Sequence, residues 1–137
     1  AALIDLAVNS KNGHVALGSI AERNEISPQY LEQVFASLRR AGIVKSVKGS
    51  QGGYLLKYPS SSITVASIIQ ALEGTYYLDD EETKTEENAA GIAETIQEDI
   101  VDRVNHGLDQ ILQNLTLADL EESFQERQSG GQEMYYI

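Results

Sequence analysis

Between Ile26 and Leu56 the chain runs ISPQYLEQVFASLRRAGIVKSVKGSQGGYLL, and few folds accommodate that order of signals. Ser27 can cap a helix and Pro28 suits its first position, where a missing N–H costs nothing. Leu31, Val34, Phe35 and Leu38 then recur at spacings of three and four, which places one apolar stripe on one helix face. Arg39 and Arg40 fall in the last turn, where cations suit the helix dipole, and Gly42 ends the helix. Ile43 to Lys48 follows as a β-rich run with Lys45 and Lys48 outward, Gly49 to Gly53 as a flexible turn, and Tyr54-Leu55-Leu56 as a returning strand. Helix, basic corner and basic hairpin in that order are the parts of a winged helix.

The residues upstream supply the rest of a helix-turn-helix. Val15 to Asn24 reads as a short amphipathic helix with Leu17, Ile20 and Ala21 inward, and Glu25-Ile26-Ser27 as the turn to the next helix. Ala1 to Val8 is a further apolar helical fragment. It starts abruptly and without Met, so residues upstream of Ala1 are expected.

An amphipathic helix followed by a hairpin also serves as a plain protein-interaction module, so pattern alone leaves DNA and protein open as partners. Charge placement favours DNA. Residues 1–60 hold seven Lys/Arg against four Asp/Glu, a net of +3, while residues 61–137 hold three against seventeen, a net of −14. A chain of net charge −11 is repelled by phosphate unless its cations gather where the duplex lies. Here Arg39, Arg40, Lys45, Lys48 and Lys57 all fall in the helix-and-wing region.

At 137 residues and 42% hydrophobic composition the chain fits one small domain with an appendage. No run of about twenty apolar residues is present to span a bilayer. With no cysteine, disulfides, zinc-finger sites and thiolate-bound clusters are excluded, and no cofactor or metal is expected. No nucleophile–base set, metal triad or phosphate loop appears, so an enzyme is not expected.

Four segments follow, with boundaries at 1–74, 75–88, 89–128 and 129–137. Thr64 should cap a helix from Val65 to Glu73 with Val65, Ile68, Ile69 and Leu72 buried, stopped by Gly74. Thr75 to Asn88 is rich in Asp and Glu and reads as a mobile acidic loop. From Ala89 to Asn114, Ile92, Ile96, Ile100, Val104, Leu108 and Ile111 recur at intervals of four and three, predicting a helix roughly 37 Å long. Its surplus apolar face predicts a two-fold homodimer that sets two DNA modules about 34 Å apart on a palindrome. Leu117, Leu120 and Phe124 mark a last short helix to about Gln128. Ser129 to Ile137 is then a Gly-Gly hinge with an aromatic tip, which either tucks against the body or is offered to a pocket on another protein.

The strings SPQYLEQVFASLRRAGIVKSVKGSQGGYLL and ITVASIIQALEG resemble the Rrf-two (BadM-type) family of bacterial winged-helix transcriptional regulators over residues 1–74. The resemblance implies a mainly α fold with a small β-wing, a long dimerisation helix, double-stranded DNA as partner and a cytoplasmic location. It puts Gln29, Tyr30, Glu32 and Gln33 toward the major groove, with Gln33 suited to an adenine edge and Glu32 to a cytosine amine. It puts Ser27 and Tyr30 on phosphate, Lys48 at the minor groove, and Arg39, Arg40 and Lys45 on the backbone. Ser50 and Gln51 at the wing tip complete the DNA-binding set.

One branch of that family binds an iron–sulfur cluster through three cysteines ahead of the long helix; the matching span here has none, and His14 and His106 lie far apart in sequence. A cysteine-free branch regulates cysteine metabolism. Its resemblance rests on the shorter elements Thr116-Leu117-Ala118-Asp119-Leu120 and Tyr135-Tyr136-Ile137. That branch acts through a complex with cysteine synthase, an enzyme that serine acetyltransferases engage through a C-terminal isoleucine. The resemblance therefore implies Tyr135, Tyr136 and Ile137 as a partner-binding tail.

Overall fold

The computed structural model describes the backbone of residues 1–82 and 87–135, with side chains described for 1–82 and 91–130. The elements are α1 (Ala2–Asn9), α2 (Leu17–Asn24), α3 (Pro28–Arg40), β1 (Val44–Val47), β2 (Gly53–Leu56), a 3-10 turn (Ser60–Ser62), α4 (Val65–Glu73), α5 (Glu87–Ile96), a π-helical stretch (Gln97–Asp102), α6 (Arg103–Leu112) and α7 (Leu117–Tyr135). The mainly helical fold with one two-stranded antiparallel wing is the architecture the motif order predicts.

Local chemistry sets the helix ends. Ser27 Oγ accepts from the Tyr30 N–H at 3.4 Å, and Thr64 Oγ1 accepts from the Ser67 N–H at 3.1 Å. At the end of α3 the Gly42 N–H bonds Arg39 O and the Ile43 N–H bonds Leu38 O, both 3.0 Å. With Gly42 at φ +78° this is a Schellman ending, and it turns the chain sharply into β1. Leu31, Phe35 and Leu38 face a core shared with Leu6, Ile20, Val44, Ile63 and Leu117. Phe35 is fully buried and its ring lies 4.9 Å from that of Tyr54, so the recognition helix and the wing are packed as one body.

Several expectations change. Val15 is not helical: it exchanges both backbone hydrogen bonds with Tyr54, at 2.9 and 2.8 Å, as a one-residue third strand against the wing. Gly52 and Gly53 are required by close packing and are not slack. A Cβ on Gly53 would sit 2.4 Å from Val15 O, and one on Gly52 would sit 2.5 Å from Val47 O. Lys45 lies in the ladder opposite Leu55, whereas Lys48 falls one residue past β1, so the two lysines do not share a strand face by alternation. In α4 the buried residue is Ala66; Val65, Ile68 and Ile69 are half-buried and Leu72 is exposed.

Thr75 to Glu82 is no mobile loop. The Leu78 N–H donates to Asn105 Oδ1 at 2.8 Å while Asn105 Nδ2 donates to Leu78 O at 3.3 Å. The Glu81 N–H donates to Gln97 Oε1 at 2.6 Å, and Gln97 Nε2 donates to Asp80. Tyr76 and Tyr77 both donate their hydroxyls to the Asp109 carboxylate. These donors hold Asp109 below the usual carboxylate range, Tyr76 foremost, and the bond to Asp109 pushes Tyr77 up. The segment is a polar strap lying along the long helix; residues 83–86 of the expected loop lie outside the described residues.

The long helix contains a π turn where an unbroken α-helix is expected. Four α-helical residues overshoot one full turn by about 40°, so a stripe spaced strictly by four would spiral around the helix. A π turn has more residues per turn and rotates the stripe back. Ala93 and Val101 are buried, whereas Ile92 (64%), Ile100 (53%), Val104 and Ile111 are exposed; Ile96 and Leu108 lie half-buried. Leu115 to Leu117 then pairs with Ile63 to Val65, through Val65 N to Leu115 O at 2.7 Å and Leu117 N to Ile63 O at 2.8 Å. This bridge brings α7 back onto α1, where buried Glu121 meets Lys11 Nζ at 2.6 Å and accepts from Ser60 Oγ at 3.3 Å. Helix α7 runs on to Tyr135, so Gly130 and Gly131 are helical where a hinge is expected. Each glycine costs a helix about 1 kcal/mol relative to alanine, which the good helix formers around them can offset. Tyr136 and Ile137 lie outside the described residues.

Candidate DNA interface

Helix α3 divides its residues cleanly. While Leu31, Phe35 and Leu38 face the core, Gln29, Glu32 and Gln33 are exposed on the opposite side, with Ser27 at the cap. Gln29, Glu32 and Gln33 are spaced by three and four and form a single polar row near the helix start. Tyr30 is 62% exposed and sits on the flank toward α4. With Gln33, Val34, Ser37, Leu72 and Glu73 it lines a shallow groove of about 180 Å³ between the two helices.

The wing supplies the second half. Antiparallel pairing of Val44 with Leu56 through Val47 with Gly53 aims the turn away from the core, and Gly49 at φ +130° completes the reversal. Lys48, Ser50 and Gln51 are all exposed at this tip, and Lys45 is exposed along β1. The Nε2 atom of His14 hydrogen-bonds the backbone carbonyl of Gln51. No local signal marks its role at the wing, because its partner lies 37 residues away.

All eleven residues expected to touch DNA are exposed: Ser27, Gln29, Tyr30, Glu32, Gln33, Arg39, Arg40, Lys45, Lys48, Ser50 and Gln51. Arg39, Arg40, Lys45 and Lys48 make no ion pair with any described residue; Arg40 donates to Ser37 Oγ at 3.2 Å and keeps its charge uncompensated. By contrast Lys11 is neutralised by Glu121, and Arg23 by Asp5 at 2.6 Å, both away from the wing. Lys57, beside Tyr58 at the base of the wing, adds a further exposed cation. Five cations without an ion pair to a described residue thus lie in the helix and wing, while Arg103 on α6 and Arg127 on α7 are the other exposed arginines without one. No group of three or more His, Asp or Glu side chains among the described residues could hold a metal ion, and no described helix is long and apolar enough to cross a membrane.

A recognition helix capped at its start, a polar row on its outer face and a lysine-tipped wing define a winged helix-turn-helix DNA-binding protein. Comparison with known proteins gives the family. The family model for Rrf2, described as an iron-dependent transcriptional regulator, matches residues 1–123, and the chain belongs to this Rrf2 (Rrf-two) family of helix-turn-helix transcriptional regulators. It is 37% identical over 123 residues to the HTH-type transcriptional regulator IscR of Yersinia pestis, covering 87% of this chain and 71% of that one. Among solved structures it resembles CymR, the global cysteine regulator of B. subtilis, with a TM-score of 0.74 and 35% identity over 88% of both chains. T. potens IscR follows at a TM-score of 0.71 and 38% identity, over 93% of this chain and 82% of that one.

Proposed function

We propose that the chain is a homodimeric repressor that reads a palindromic operator with two copies of the α3-and-wing surface and carries no iron–sulfur cluster. The observation that carries this reading is the set of four uncompensated cations around the exposed row Gln29, Glu32 and Gln33, in a chain of net charge −11. Such an acidic chain approaches phosphate best where its cations cluster, and most of them fall on that helix and wing. Gln33 suits an adenine edge and Glu32 a cytosine amine in the major groove, while Lys48 suits the minor groove. A chromosomal operator places the protein's work in the cytoplasm.

The dimer follows from the long helix. Ile92, Ile100, Val104 and Ile111 hold an apolar face open to water in the monomer, and a second copy covers it by two-fold symmetry. Ile100→Asp should convert the dimer to monomer in sedimentation; a dimer that persists refutes this interface. The residues do not fit the cluster that an iron-dependent family name suggests. Thiolates are absent from the whole chain, and Gln97, Asn105 and Asp109 use their side chains on the strap.

The operator reading is tested by selecting duplexes from a random pool with the purified chain and measuring binding of the enriched sequence. Enrichment of a two-fold symmetric site is expected, and enrichment of none would defeat the reading. The likeness to B. subtilis CymR extends the reading to cysteine metabolism. In it, Tyr135, Tyr136 and Ile137 are the residues engaged by cysteine synthase, with the isoleucine suited to an apolar slot. Deleting these three residues should abolish capture of cysteine synthase and leave the dimer intact; unchanged capture refutes the tail.

A further inference from the structure

The wing is supported unevenly along its length. At its base, the Lys57 N–H bonds Ile43 O at 2.9 Å, and further out Phe35 packs on the ring of Tyr54. At its middle, Val15 pairs with Tyr54, and this third strand is one residue long because Ala16 already serves as the N-cap of α2. Beyond Gly53 the ladder stops. The tip, Lys48 to Gly52, closes on itself through the Gly52 N–H to Gly49 O at 3.1 Å. Among the described residues, one hydrogen bond joins this tip to the rest of the molecule: His14 Nε2 to the carbonyl of Gln51.

We propose that His14 is a positioning residue for DNA binding, a tether that fixes the angle at which Lys48, Ser50 and Gln51 meet the duplex. The inference deepens the DNA-binding reading and rests on it. A two-stranded hairpin is marginal without further support, and a tip with glycines at 49 and 52 can swing. The imidazole N–H donates to a carbonyl that no strand pairs with, and it does so from a loop anchored directly to Val15 and thus to the core. Preorganising the tip spares the complex the entropy of ordering it at the moment of binding. Both the imidazolium and the neutral Nε2–H tautomer can donate this bond, so the tether does not need one charge state.

The test compares His14→Ala with His14→Gln, whose side-chain amide can donate to the same carbonyl. The probe is the duplex that the wild-type chain enriches from a random pool. His14→Ala should weaken binding about fivefold to tenfold without lowering the thermal midpoint, and His14→Gln should recover most of that loss. In a Lys48→Ala background, His14→Ala should cost little more, because its effect passes through the wing tip. Unchanged affinity in His14→Ala, no recovery in His14→Gln, or full additivity with Lys48→Ala would each overturn the proposal. Amide exchange without DNA gives a readout independent of the operator. Exchange at Gly52, whose N–H bonds Gly49 O inside the tip, should quicken in His14→Ala, and unaltered exchange counts against the tether. If no duplex is enriched, the DNA reading fails by itself, while the exchange comparison still decides whether His14 holds the tip.

Discussion

Replacing Lys48 with alanine should change how DNA binding depends on salt more than it changes which sequence is preferred. Each phosphate neutralised releases counterions, and log K falls with log salt by about 0.9 per contact. Arg39, Arg40, Lys45 and Lys48 are exposed and uncompensated in each protomer. If all four meet phosphate in both halves of a dimer, the slope is about −7, and affinity falls roughly 10⁴-fold between about 50 and 200 mM salt. Lys48→Ala removes one contact from each half, so the slope should flatten by about 2 and the fall should shrink to roughly 10³-fold. Fluorescence anisotropy with a labelled duplex, titrated at several salt concentrations, measures this directly. Gln33→Ala is the counter-case. It carries no charge, so it should keep the slope and cost about 1–3 kcal/mol per half-site on the selected sequence, with little change on random DNA. An unaltered slope in Lys48→Ala, or uniform weakening across all sequences in Gln33→Ala, would refute the assignment of electrostatic contact to the wing and base contact to the helix row.

Three further outcomes follow from particular contacts. Gly53→Ala drives a Cβ to within 2.4 Å of Val15 O, so the third strand must part from the wing; a loss of about 1–3 kcal/mol in urea unfolding is expected, and an unchanged midpoint would contradict the close approach. Asn105→Ala removes both side-chain bonds to Leu78, and roughly 1–2 kcal/mol of local protection should vanish. Exchange of the Leu78 amide, faster by about tenfold or more, would show it. Asp5 titrates below its ordinary value: partial burial opposes ionisation, but the Arg23 fork with Asn24 and Asn9 outweighs it. The resulting stability is complete above the unfolded value near pH 4 and is lost as pH falls through the lowered one. The stability gap between wild type and Arg23→Gln should accordingly be level from neutral to mildly acidic pH and close only in strong acid. A gap that widens in acid would reverse the sign of this argument.

What could be read in advance, and what could not, divides by range. Ser27, Thr64, Gly42 and Gly74 act on backbone groups a few residues away, so their type and spacing alone place the helix ends the structure shows. The exposed row on α3 is legible for the same reason, since a 3.6-residue period assigns faces without knowing what packs on them. Val15 misleads because its preference for pairing with Tyr54 is expressed only once the wing has folded back on it. The strap misleads for a complementary reason. Its acidic composition reads as solvated, yet the acceptors and donors that hold it, Gln97, Asn105 and Asp109, lie 16 to 33 residues further along the chain.

The wing glycines show how range changes the meaning of a residue as well as its position. Five small or polar residues between two short strands read as slack, and slack is a poor way to present lysine to a narrow groove. In the folded chain Gly52 and Gly53 are the places where Val47 O and Val15 O come too close for any side chain. The tip they carry is held from outside by the ring of His14. Flexibility in the sequence thus becomes tight packing at the wing's middle and a single tether at its end. The wing of the opening motif is hydrogen-bonded by residues outside that motif, Val15 at its middle and His14 at its tip, which is why the motif alone marks the exposed surface and not what supports it.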